Sequence, residues 1–141
     1  MEKKVISDNE LDRVAGGTGT GGVIASGSFS SNSGTQLNIQ LNWSVQRDMY
    51  GKKVLFVDVF ATSYSLYTNG GGVELSVNGM SYWANSASIS YGGNTPVSNR
   101  LASFNVANVS GSVNLSAVWH FNGVYSGVSL GDIRAGGVIS V

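Results

Sequence analysis

One histidine, four carboxylates and three tryptophans are what residues 18–141 offer to chemistry, and their spacing points away from catalysis. His120 alternates with Trp119 and Phe121, so it belongs on the outward face of an extended segment. No Ser-Asp or Cys arrangement is spelled out around it that would make it a general base, and a surface histidine is the expectation. Asp48, Glu74 and Asp132 fall at or near expected turns, without the D-x-D-x-D-G run of a calcium loop or the close pair of a glycosidase. The run Gly17-Thr18-Gly19-Thr20-Gly21-Gly22 satisfies G-x-G-x-x-G, but a phosphate loop needs a strand before it and a helix after it. Here the order is reversed, and a flexible spacer over residues 18–22 is the simpler reading. With no Cys, thiol chemistry, disulfides and the usual zinc sites drop out. No catalytic residue, metal site or cofactor is read from these residues, and the chain is expected not to be an enzyme.

Composition narrows the partners. The chain has 141 residues, eight Lys and Arg against eight Asp and Glu, and 42% hydrophobic residues. That is one domain with enough apolar surface for a core. No basic excess exists to neutralise phosphates, so nucleic acid is not expected as a partner. No apolar run approaches the roughly 20 residues of a membrane-spanning helix. Seven of the sixteen charges, Glu2, Lys3, Lys4, Asp8, Glu10, Asp12 and Arg13, crowd into the first seventeen residues. Ser7 followed by Glu10 is a capping box, Leu11 and Val14 share one face, and Gly16-Gly17 is a C-terminal stop, so residues 1–17 read as a short helix. The uninterrupted apolar stretch of a secretory signal peptide is missing there.

The register Ile6-Ser7-x-x-Glu10-Leu11-x-x-Val14-x-Gly16-Gly17 resembles the double-glycine leader of bacterial peptides exported by peptidase-containing ABC transporters. Ile6 stands where Leu is commoner. The resemblance implies that Ser7, Glu10, Leu11, Val14, Gly16 and Gly17 are read by the transporter's protease domain, which cuts after Gly17. Leu11 and Val14 form a small apolar stripe suited to a groove, and narrow subsites beside the scissile bond admit only glycine. The implied outcome is secretion of a mature chain that starts at Thr18.

From residue 23 the period becomes two. Val23 to Phe29, Leu37 to Val45, Val73 to Val77, Met80 to Ala84, Ala87 to Tyr91, Leu101 to Val106, Val113 to Phe121 and the C-terminal run through Ile133, Ile139 and Val141 read as strands. Lys53 to Tyr67 reads as one long strand with apolar residues in both phases, Phe56 and Phe60 sharing a side with Asp58. That pattern fits a central strand, or one that crosses between sheets, covered on both faces, or else a strand with one face exposed to a partner, Phe56, Asp58 and Phe60 being the candidate surface. Asn78-Gly79 marks a two-residue hairpin turn, which sets Val77 opposite Met80, Ser76 opposite Ser81, Leu75 opposite Tyr82 and Glu74 opposite Trp83. Trp83 then points outward near Glu74 and Asn85 and is the second candidate binding surface.

About eight or nine short strands with Gly, Asn and Ser turns predict an antiparallel β-sandwich over residues 23–141, with Trp43 and Trp119 facing inward. The residues Asn78-Gly79, Ser86 to Gly93, Asn122 to Gly127 and Ala135 to Ile139 also resemble the immunoglobulin-like β-sandwich domains of some phage tail and baseplate proteins. That likeness implies an immunoglobulin-like fold after the helical leader, and a role in surface attachment, but no binding residue. Together these readings describe a secreted, bacteriocin-like effector that acts outside the cell by recognising a protein or a glycan. An adhesin or binding module for a host protein such as an immunoglobulin, or for a cell-surface glycan, is the alternative.

Overall fold

Alternation of apolar and polar side chains builds nearly every element. The computed structural model describes residues 22–31, 36–68 and 71–141. Its strands are β1 (Val23–Ser30), β2 (Asn38–Arg47), β3 (Lys53–Ser63), β4 (Leu66–Thr68), β5 (Gly72–Val77), β6 (Met80–Asn85), β7 (Ile89–Tyr91), β8 (Val97–Ala107), β9 (Ser112–Trp119), β10 (Gly123–Tyr125), β11 (Val128–Leu130) and β12 (Ile133–Ser140). Among the described residues there is no helix. One four-stranded sheet has the order β1-β2-β3-β8 and the other β12-β9-β5-β6, while β4 with β7 and β10 with β11 form two-stranded ribbons. Every pairing is antiparallel.

The inward phases of the two sheets meet in one core. Leu41, Val45, Leu55, Val57 and Val59 come from the first sheet and Leu75, Leu115, Ala117 and Trp119 from the second, all essentially without solvent contact. The arrangement is sandwich-like and all-β. On one side the edges β1 and β12 approach each other, and Gly137 leaves room there for Phe29, whose ring lies 2.4 Å from where a Cβ would stand. On the other side β6 approaches β8.

Several expectations change in detail. Twelve strands are present among the described residues rather than eight or nine, because the long connections pair into ribbons. The stretch from Lys53 to Tyr67 is two strands, broken at Tyr64 and Ser65, where the Tyr64 amide turns to donate to the Tyr125 hydroxyl at 3.2 Å. β3 is central, between β2 and β8, with its Leu55–Val57–Val59 face buried and its Phe56–Asp58–Phe60 face half-buried. β9 stops at Trp119: a γ-turn closed by the Phe121 amide on the Trp119 carbonyl at 2.9 Å ends the strand, and Phe121 tilts back onto Trp119 at 5.0 Å between ring centroids. Trp119 is fully buried as expected, whereas Trp43 is half-buried at the border of the core. The residues expected to form a helical leader and the spacer up to Gly21 lie outside the described residues.

Candidate functional site

The site begins with the β5–β6 turn. Asn78 and Gly79 both have positive φ, 50° and 86°, the requirement of the two-residue turn whose twist matches its strands. The Asn78 side chain accepts from the Asn114 amide at 2.8 Å and its own amide donates to the Asn114 carbonyl at 3.0 Å, which ties the turn to β9. The hairpin register is the expected one, with Glu74 opposite Trp83. On the other flank β5 pairs with β9, setting Glu74 opposite Val118 and Val73 opposite Trp119, and β9 pairs with β12, setting Trp119 opposite Ile133. One residue beyond those pairs, the outward row holds Asp132, His120, Gly72 and Asn85. The His120 amide donates to the Gly72 carbonyl at 2.9 Å and keeps that row in place.

Glycine at position 72 lets the cluster close. A Cβ there would sit 1.9 Å from Cζ2 of Trp83, so the indole occupies the volume that a side chain would take. The ring stacks on His120 at 5.4 Å between centroids and 24° between planes, and its Nε1 donates to Oδ1 of Asn85 at 3.4 Å. His120 is itself held from both sides, Nδ1 3.0 Å from Asp132 Oδ1 and Nε2 3.5 Å from Glu74 Oε1. Asn122 donates to the same Asp132 oxygen at 3.4 Å, and Arg134 reaches the other at 3.8 Å. The indole is thus fixed on its β9 side while keeping 59% of its surface in solvent. Among the described residues β6 is the last strand of its sheet. Gly72→Ala is expected to expel the indole from this seat, costing about 1 to 3 kcal/mol of stability and changing the tryptophan emission. Unchanged emission and melting temperature would contradict the packing described.

The cluster presents a fixed, partly exposed aromatic surface. Both imidazole nitrogens face carboxylates, which fix the plane of the ring against the indole. Those two nitrogens point in opposite directions, so Glu74, His120 and Asp132 do not converge on one point, and no cluster able to hold a metal ion occurs among the described residues. Trp83, Glu74 and Asn85 are brought together as the hairpin register predicts. His120 and Asp132 join them, which corrects the reading of His120 as a plain surface residue and adds two residues missed in the sequence. Glu74, expected at or near a turn, sits within β5. Phe56, Asp58 and Phe60 lie together on the outer face of the other sheet, where Asp58 accepts from the Ser103 hydroxyl at 2.6 Å. The two candidate surfaces are therefore on opposite sides of the molecule. Ser7, Glu10, Leu11, Val14, Gly16 and Gly17 fall outside the described residues.

No family model, curated protein or solved structure matches the chain.

Proposed function

We propose that this chain is a precursor exported through a double-glycine leader, cut after Gly17, and active outside the cell as a non-enzymatic recognition protein of bacteriocin type. The observation that carries the recognition half is the indole of Trp83, held by Gly72, His120 and Asn85 yet 59% exposed. An aromatic ring already ordered in the free protein loses little entropy on binding and offers a flat apolar surface to a protein loop or a sugar ring. The surroundings favour the same use. The segments of residues 64–68, 86–96 and 120–132 meet beside this cluster: Leu66 pairs with Tyr91, the Gly93 amide donates to the Ser65 hydroxyl at 3.1 Å, and the Tyr64 amide donates to the Tyr125 hydroxyl at 3.2 Å. They contain Tyr64, Tyr67, Tyr91 and Tyr125, four of the six tyrosines, among Ser, Gly and Asn, the residue mixture of binding loops.

The strand order supports an immunoglobulin-like reading of the fold. If β2, β3, β5, β6, β8, β9 and β12 are lettered A, B, C, C′, E, F and G, one sheet becomes A-B-E and the other G-F-C-C′, with β1 an added edge strand. No helix among the described residues is long and apolar enough to cross a membrane. An adhesin or host-protein binder would use the same exposed indole, and the leader register is what favours the exported effector.

Expression beside a peptidase-containing ABC transporter of the double-glycine type tests the export half. The secreted protein should have the intact mass of a chain starting at Thr18. A secreted chain still starting at Met1 would overturn the proposal.

A further inference from the structure

Sheet edges are where a β protein is exposed to unwanted pairing, and edge strands usually carry a charge, a proline or a bulge against it. Here β8 carries Arg100 and a register shift opposite Val59 and Phe60, β12 carries Arg134, and β1 has a register shift after Val23 and lies against β12. β6, with the sequence Met80-Ser81-Tyr82-Trp83-Ala84-Asn85, approaches β8 as β1 approaches β12, but it carries no charge, proline or register shift. Its register with β5 is unbroken over six residues, and Met80 and Trp83 are 63% and 59% exposed.

The turn decides which backbone groups are free. Across a two-residue turn Val77 and Met80 form a hydrogen-bonded pair, as do Leu75 with Tyr82 and Val73 with Ala84. The amides and carbonyls of Ser81, Trp83 and Asn85 therefore point away from β5, along the edge with which no strand pairs among the described residues. Three alternating donor and acceptor pairs are the complement of one extended strand.

We infer that this edge pairs with β6 of a second copy of the chain, antiparallel about a two-fold axis through Trp83. In that register Trp83 faces its own equivalent and Ser81 faces Asn85 of the partner subunit, giving six backbone hydrogen bonds between the three pairs. The inward residues then place Tyr82 against Ala84 of the partner subunit, a large side chain against a small one. Self-pairing sets identical stretches against each other, and like charges directly opposite are unfavourable, so an uncharged strand suits it. The two-fold axis stands perpendicular to the sheet and leaves both Trp83 rings on the same outer face, doubling the recognition surface.

Ser81→Pro tests this without disturbing the monomer, because the Ser81 amide is not used by β5 and an outward N–H on an edge strand is where proline is tolerated. Sedimentation equilibrium of the full chain should give twice the monomer mass of 14.7 kDa, and Ser81→Pro should give the monomer with an unchanged melting temperature. The chain has no cysteine, so a Ser81→Cys, Asn85→Cys double variant provides an independent reading: mild oxidation should yield a covalent dimer. A monomeric wild type, a dimer that survives Ser81→Pro, or a folded double-cysteine variant that does not cross-link would each overturn the pairing.

Discussion

Trp119→Ala should lower the unfolding free energy by about 3 to 5 kcal/mol, a large part of the stability of a domain this size. The indole is fully buried in the second sheet, opposite Val73 on one side and Ile133 on the other, and Phe121 tilts against it. Truncation removes the largest fully buried side chain among the described residues and leaves a cavity between strands whose backbone bonds prevent collapse. Among the described residues Trp119 Nε1 has no hydrogen-bond partner, so the ring contributes packing rather than a hydrogen bond. Trp119→Phe should accordingly retain much of the stability. Trp43→Ala is the smaller loss, about 1 to 3 kcal/mol, because that ring is only half-buried where it lies against Gly27. Denaturant titration of the three variants checks the ranking, and equal losses for Trp43 and Trp119 would contradict the burial difference.

Gly17→Val, and likewise Gly16→Val, is expected to abolish maturation. The proposal places both glycines in protease subsites too narrow for a branched side chain, so valine blocks productive binding by steric clash rather than weakening it in degree. The measurement is the intact mass of cell-associated and secreted protein: the uncut chain should accumulate in the cells, with no species starting at Thr18 in the medium. Normal processing of either variant would remove the leader from the account. Deleting residues 1–17 should at the same time leave the melting temperature nearly unchanged, since the charged segment is joined through a Gly and Thr spacer.

The parts of the fold that local chemistry dictates were legible before the structure. Asn78-Gly79 admits one kind of turn, and from it the whole register from Val77 opposite Met80 to Glu74 opposite Trp83 follows by counting. The alternation in β2 and β9 identified their inward faces for the same reason. What could not be counted was pairing between strands distant in the chain. β5 lies beside β9 some forty residues on, and β9 beside β12, and only those neighbours bring Glu74, His120 and Asp132 together. The break at Tyr64 and Ser65 left no Gly or Pro to mark it. The β10–β11 hairpin did carry a signal, since Ser126-Gly127 is a turn dipeptide and both residues have positive φ in the structure, 53° and 79°.

Recognition through the face that carries Trp83 is the central claim, and binding of the mature chain, residues 18–141, to intact target cells tests it directly. Trp83→Ala should fold normally, because the ring it removes is mostly in solvent. Its affinity should fall by about 30-fold, the equivalent of about 2 kcal/mol for a truncated interface anchor. A folded Trp83→Ala protein that binds the same cells as tightly as the wild type would contradict the account and move the contact to Phe56 and Phe60 on the other sheet.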